Sequence, residues 1–210
     1  IDSGKFINLK ASVSDTLTDK PILLVFHGLS SDSNLNIWWD KFNWYSLQER
    51  YRIICINTIG SAFGSTGPSE FTFYNKDNIL TDVFPQITIK DTINFTLLTL
   101  KEMGINSVET VLGCSLGGMQ VLELYSTYPN FAKKFISTCA CELNSEIKLY
   151  NYAQLSLLKE AIQSKSIETL KLAYKYTRFF FRLSCTTNSG LEIFESKLNN
   201  KMAYNTYSSK

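Results

Sequence analysis

Two unbroken apolar runs stand out along the chain, Pro21 to His27 (PILLVFH) and Arg52 to Asn57 (RIICIN). Continuous runs of this length, bounded by turn residues, predict strands buried on both faces of a parallel sheet. Val108 to Cys114 predicts another strand and Lys134 to Cys139 a shorter one, while Lys5 to Val13 reads as a first strand of modest quality. Between them lie helical stripes. Ile87 to Met103 places apolar residues at Ile89, Ile93, Leu97, Leu98 and Leu100 and closes on Gly104; Gly117 to Tyr128 is stopped by Pro129. Strands alternating with helices predict an α/β fold with a mostly parallel, doubly wound sheet. After about residue 145 the pattern becomes wholly helical, with segments over 148–163, 167–181 and 190–201. The predicted organisation is therefore an α/β core over 1–145 and a helical lid or cap over 146–210. Phe179-Phe180-Phe181 with Tyr174 and Tyr176 reads as packing within that cap.

Composition narrows the function classes. A chain of 210 residues, 44% hydrophobic, can bury one sizeable core. Its net charge of +2, with lysine and arginine spread along the sequence, gives no reason to expect a nucleic-acid or membrane partner. No apolar stretch reaches membrane-spanning length and no charged-then-apolar leader opens the chain. The five cysteines are Cys55, Cys114, Cys139, Cys141 and Cys185. An odd number, mostly within apolar runs, predicts reduced, buried thiols and a cytoplasmic location. Cys139-Ala140-Cys141 has neither the spacing nor the partner ligands of a zinc site, so no metal is expected.

The chemistry concentrates at Gly113-Cys114-Ser115-Leu116-Gly117, a G-x-S-x-G sequence between a predicted strand and a predicted helix. In that setting a sharp turn presents the serine as a nucleophile, with small residues two positions either side letting strand and helix pass closely. Ser115 is the expected nucleophile, and the backbone N–H of Leu116 the first oxyanion donor. A second donor is expected from the loop after the earlier strand, where Phe26-His27-Gly28-Leu29 offers the Leu29 N–H, and Gly28 lets the backbone approach the reacting carbonyl. Each donor of this kind stabilises a transition state by roughly 3 kcal/mol. His27 is the one histidine in the chain and precedes Ser115, so it reads as shaping this loop rather than as the base. Gly64-Ser65-Thr66-Gly67-Pro68-Ser69 has two readings: a plain turn, or a substrate-binding loop at the carboxyl edge of the sheet formed by Gly64, Ser65, Thr66 and Gly67. It lacks the Gly-Lys-Ser/Thr ending of a Walker A loop.

These motifs, together with Trp38-Trp39-Asp40, Asn57 to Gly60, Phe84 to Asp91 and Gly117-Gly118-Met119-Gln120, resemble the homoserine O-acyltransferase family in order and spacing from about residue 3 to 140. The resemblance implies an α/β-hydrolase fold and ping-pong transfer of an acyl group from acyl-CoA to the side-chain hydroxyl of homoserine, as in methionine biosynthesis. It implies no metal or redox cofactor, acyl-CoA as co-substrate, a small hydroxy amino acid as acceptor, and dimerisation through the lid helices as one mode of assembly. Two departures accompany it. The family's catalytic aspartate and histidine follow the lid, and no Asp-Gly-His-type motif occurs in this chain. An arginine that the family carries in the first lid helix is replaced near Leu155, and leucine cannot make that arginine's bidentate pair with an acceptor carboxylate. Three readings therefore stand: a fragment of a working acyltransferase, an esterase-like or serine-acylating relative, and a non-catalytic remnant. The donor (acetyl or succinyl) stays open. A sheet ending after the lid would leave an edge and an apolar face uncovered. The 210-residue chain alone is therefore predicted to aggregate or fold poorly, and a sharp cooperative melt of the isolated monomer would overturn that expectation.

Overall fold

The computed structural model describes residues 9–14, 19–29, 31–38, 42–61, 64–67, 73–74, 80–82, 84–140 and 145–184. The chain forms two compact units, Ile1–Cys141 and Glu142–Lys210. In the first, β1 (Ala11–Val13), β2 (Ile22–Phe26), α1 (Leu35–Trp38), α2 (Trp44–Arg50) and β3 (Arg52–Ile56) are followed by a small hairpin of β4 (Phe73–Tyr74) and β5 (Leu80–Asp82). Then come α3 (Ile89–Glu102), β6 (Val108–Cys114), α4 (Leu116–Thr127) and β7 (Ala132–Thr138). The main sheet runs β1-β3-β2-β6-β7, with β1 antiparallel to β3 and the other pairs parallel. The predicted first strand is observed only at its end, since residues 5–8 lie outside the described residues.

The apolar runs form central strands because both their faces are covered. Leu24, Phe26, Ile54, Ile56 and Val111 pack on one face with Ile93 and Leu100 of α3 and Val121 and Leu124 of α4. Leu23, Val25, Ile53 and Cys55 point to the opposite face, where Trp44 of α2 covers them. Helix α3 begins in a capping box: Thr88 Oγ1 accepts from the Asp91 N–H at 3.1 Å, and Asp91 Oδ2 accepts from the Thr88 N–H at 2.9 Å. The Thr88 hydroxyl, donating to Asp91 Oδ2 at 2.6 Å, and the Thr88 N–H together hold the Asp91 carboxyl below its ordinary range. Gly104 follows at φ +77°, where a residue with a side chain would be strained.

Strand order also locates the functional edge. From β2 the chain continues to β3 on one side, while β6 lies on the other, so β2 and β6 flank a reversal of connection direction. Crevices outside the carboxyl ends of strands at such a reversal are where open α/β sheets bind ligands. Beyond β6, strand β7 is the last of the described sheet; it half-exposes Ile136, and Lys133 and Lys134 meet Glu109 at 2.7 and 3.9 Å.

The second unit contains α5 (Ser145–Gln163) and α6 (Ile167–Ser184), joined by a turn in which Lys165 takes φ +53°. Ser166 caps α6 by accepting from the Thr169 N–H at 3.2 Å. The two helices pack against each other, and Ala161 of α5 and Ala173 of α6 are buried. The third predicted helix (190–201) and the side chains of Phe179 to Phe181 lie outside the described residues. Among the described residues no helix is long and apolar enough to cross a membrane. Leu24→Ala, at a fully buried position, is expected to lower unfolding stability by about 3 kcal/mol. Leu98→Ala, at a position 58% exposed, should leave the urea midpoint nearly unchanged.

Candidate active site

Strand β6 ends at Cys114 and helix α4 begins at Leu116, so a single residue turns the chain. That residue is Ser115, at φ 57° and ψ −122°, a conformation that costs a residue with a side chain of order 1–3 kcal/mol. Packing enforces it. A Cβ at Gly117 would lie 2.9 Å from the His27 carbonyl oxygen and closer still to that of Phe26. One at Gly118 would lie 2.8 Å from the Thr138 carbonyl oxygen, and one at Gly113 2.9 Å from the Gly118 nitrogen. Glycine at these positions allows helix α4 to start directly against the ends of β2, β6 and β7. The Ser115 N–H donates to the Thr138 carbonyl at 3.0 Å, and the Ser115 carbonyl accepts from Met119 at 3.0 Å. Its side chain is exposed and makes no capping bond to the helix. The hydroxyl is thus presented rather than absorbed. Leu116, as first residue of α4, carries one of the N–H groups that a helix start leaves without an internal partner.

The loop leaving β2 lies beside this turn. A Cβ on Gly28 would sit 3.9 Å from Ser115 Cβ and 3.6 Å from the Cys114 carbonyl oxygen. The carbonyl of Gly28 accepts from the Ser31 N–H at 3.2 Å, and His27 Nδ1 stands 2.9 Å from the same oxygen. His27 Nε2 accepts from the Thr58 N–H at 3.1 Å, so the proton belongs on Nδ1 and is donated to Gly28. This bond acts on the peptide that carries the Leu29 N–H. No cis peptide bond occurs among the described residues, and a trans peptide directs its C=O and N–H to opposite sides. Holding the Gly28 carbonyl toward the imidazole therefore turns the Leu29 N–H away from it. Leu29 itself is exposed.

His27 is buried, and both ring nitrogens are engaged. Its pKa is lowered, chiefly by burial, against smaller opposing effects of the Gly28 carbonyl and Asp32. These features make it the loop's anchor, and leave it no free nitrogen to take a proton from Ser115. Gln120, buried on α4, donates to Thr58 Oγ1 at 3.4 Å, linking the helix that follows Ser115 to the same anchor. Sequence reasoning missed this linkage. Its signal was present only as a glutamine at an inward position of an otherwise apolar helix face.

Ser65, Thr66 and Gly67 are buried. Ser65 Oγ donates to the Asn57 carbonyl at 2.9 Å and accepts from the Lys10 N–H at 2.9 Å, while the Thr66 carbonyl accepts from Gly60 at 2.8 Å. Asn57, also buried, accepts the Ser33 N–H on its side chain. Gly64 takes φ +86° and Gly67 packs against the Ser61 carbonyl. The Ser65 side chain thus stitches its loop to the end of β3. Pro68 and Ser69, with Trp39 and Asp40, lie outside the described residues. Leu155 is on α5, where its apolar side chain is 54% exposed. Among the described residues no cluster of three or more potential metal ligands forms.

The cysteines are more varied than predicted. Cys55 is buried, and desolvation pushes its thiol up to about 12. Cys114 is half-buried, but Cys139 is exposed, because it leaves β7 at φ +52° and turns out of the sheet. Cys141 and Cys185 lie outside the described residues.

The lone histidine gives a clean pH test. The fold depresses its pKa below the ordinary 6.5, so the unfolded chain binds the extra proton first. The contribution to stability is complete above 6.5 and is lost as pH falls from there through the folded-state value. Unfolding midpoints should therefore decline from neutral pH into the mildly acidic range, and His27→Asn should flatten that decline. An identical slope in the variant would contradict the assignment.

Comparison with known proteins places this geometry. The family model for the alpha/beta hydrolase fold matches residues 21–163. A homoserine O-acetyltransferase of Chlorobaculum tepidum is 37% identical over 114 residues, which is 53% of this chain and 32% of that protein. One from Methanosalsum zhilinae is 32% identical over 154 residues, 66% of this chain and 31% of that protein. The matched region thus spans about a third of the length of these curated relatives. In fold, the crystal structure of esterase E22 superimposes with a TM-score of 0.70 at 20% identity, covering 92% of this chain and 60% of that one. With that match covering the Ser115 turn and the loop after β2, the chain belongs to the alpha/beta hydrolase fold family, and its similarity to curated proteins there is to homoserine O-acetyltransferases.

Proposed function

We propose that this chain carries the nucleophile and oxyanion-binding half of an acyltransferase that moves an acyl group from acyl-CoA to the side-chain hydroxyl of homoserine. The observation that carries the reading is Ser115, held at φ 57° with its side chain exposed beside Gly28. Similarity to homoserine O-acetyltransferases supports the choice of donor and acceptor. In the proposed reaction Ser115 Oγ attacks the thioester carbonyl, and its proton passes to a base. The tetrahedral oxyanion is met by the N–H groups of Leu29 and Leu116, CoA thiol leaves, and an acyl-serine remains. The acceptor hydroxyl then attacks that ester, and the same two donors serve the second intermediate. His27 is committed to the Gly28 carbonyl and Thr58, so the base is a histidine outside this chain's residues, oriented by a carboxylate in the usual triad manner.

Gly64 to Gly67 contribute to this reading as the frame of a substrate-facing loop, with backbone rather than the Ser65 hydroxyl available to a ligand. No metal or redox cofactor takes part in the proposed steps. A cytoplasmic place in methionine biosynthesis, and pairing of two copies through the helical segments, belong to the same proposal. Leu155 favours a second reading. With an apolar side chain where the resemblance expects an arginine, the acceptor carboxylate loses a partner, and water or another alcohol would take the acyl group.

The protein expressed from its complete reading frame, mixed with acetyl-CoA, should accumulate an acetyl ester on the Ser115 peptide and pass it to homoserine. Ser115→Ala should abolish the adduct and lower kcat on the order of a millionfold. Undiminished O-acetylhomoserine formation by that variant would overturn the proposal. Free acetate in excess of O-acyl product would support the second reading.

A further inference from the structure

Two thiols meet next to the nucleophile turn, and neither is used in the acyl-transfer steps. Parallel pairing of β6 with β7 sets Cys114 opposite Thr138, and Cys139 is the next residue. The Ser115 N–H bonds the Thr138 carbonyl at 3.0 Å, and Thr138 Oγ1 donates to the Gly113 carbonyl at 3.2 Å. The two backbone segments are thereby fastened side by side on both sides of the cysteine pair. At φ +52°, Cys139 follows directly on the end of β7 and stands beside Cys114 across the strand pairing. Both are free, Cys139 is exposed and Cys114 half-buried. Cysteines one step apart on adjacent, paired strand ends lie at about the Cα separation that a disulfide spans without backbone movement.

We propose that Cys114 and Cys139 form an oxidative modification site, an intramolecular dithiol that peroxide converts to a disulfide beside Ser115. One sulfur, as thiolate, attacks a peroxide oxygen; the O–O bond breaks, leaving a sulfenic acid and hydroxide. The second sulfur then attacks the first, the S–O bond breaks and water leaves. Two thiols lose two protons and two electrons, and one peroxide becomes two waters. Cys55 stays outside this chemistry, buried within the core beneath Trp44.

The test is peptide mapping after exposure of the reduced, native protein to hydrogen peroxide, with remaining thiols blocked by N-ethylmaleimide before digestion. The expected product is a Cys114–Cys139 crosslink as the dominant disulfide, reversed by dithiothreitol. In urea the crosslink should give way to scattered pairings, since the folded strands select it. Cys139 joined to Cys141 or Cys185 with Cys114 still blocked by maleimide would overturn the proposal. So would separate oxidation of the two thiols to sulfinic acids without a crosslink, or the same pairing in urea as in native buffer. The mapping needs no catalytic activity, so its failure is distinct from failure of the Ser115 reading.

Discussion

The passage of helix α4 across the ends of β2, β6 and β7 sets the terms for the rest of the structure. Gly113, Gly117 and Gly118 are the positions where a Cβ would run into backbone, and their bareness permits the helix to start one residue after the strand. Ser115 takes the whole turn and is forced into a backbone state that isolated chains avoid. The packing of Val121 and Leu124 against the sheet supplies the opposing stabilisation. The exposure of Ser115, the start of α4 at Leu116 and the placing of Cys114 beside the end of β7 all follow from that one crossing.

A second constraint acts on the loop after β2. Backbone donors can stabilise an oxyanion only if their direction is fixed before the charge develops. Here a buried imidazole does the fixing, with Nδ1 tied to the Gly28 carbonyl and Nε2 to the Thr58 N–H. Because Thr58 also receives Gln120 from α4, the loop after β2, the exit of β3 and the helix that follows Ser115 share one polar chain. Burial keeps the imidazole neutral, which preserves the acceptor at Nε2. A residue type often assigned to proton transfer is here a structural fastening for the loop after β2.

The fold and the chemistry rest on different grounds. The sheet order, the crossing glycines and the match over residues 21–163 establish the family. Similarity in fold to an esterase at 20% identity speaks to architecture alone. The acyl-transfer reading depends instead on a local set of groups: one presented hydroxyl and two backbone amides. That set is compact because β2 and β6 are neighbours across the reversal in sheet order, which brings residues nearly ninety positions apart in sequence to one edge (28 and 115 are the pair in contact).

Much of this was legible in the chain itself. The apolar runs at Ile22–Phe26 and Arg52–Ile56 announce buried parallel strands because every position there is covered, and periodicity locates α3 and α4 to within a few residues. Glycine spacing around Ser115 likewise specifies the turn, since steric exclusion at short range is a local property. Less legible were α1, α2 and the antiparallel β1, short elements whose formation depends on what they pack against. The inward turn of Ser65, the commitment of both His27 nitrogens and the meeting of Cys114 with Cys139 could not be read from sequence at all. Each depends on which strands become neighbours and in what register, and partners brought together that way leave no periodic trace. The sequence by itself determined which residue would occupy the sharp turn between strand and helix, because steric exclusion around it is local; tertiary packing decided which surrounding polar groups are spent holding that turn and its neighbouring loop in place.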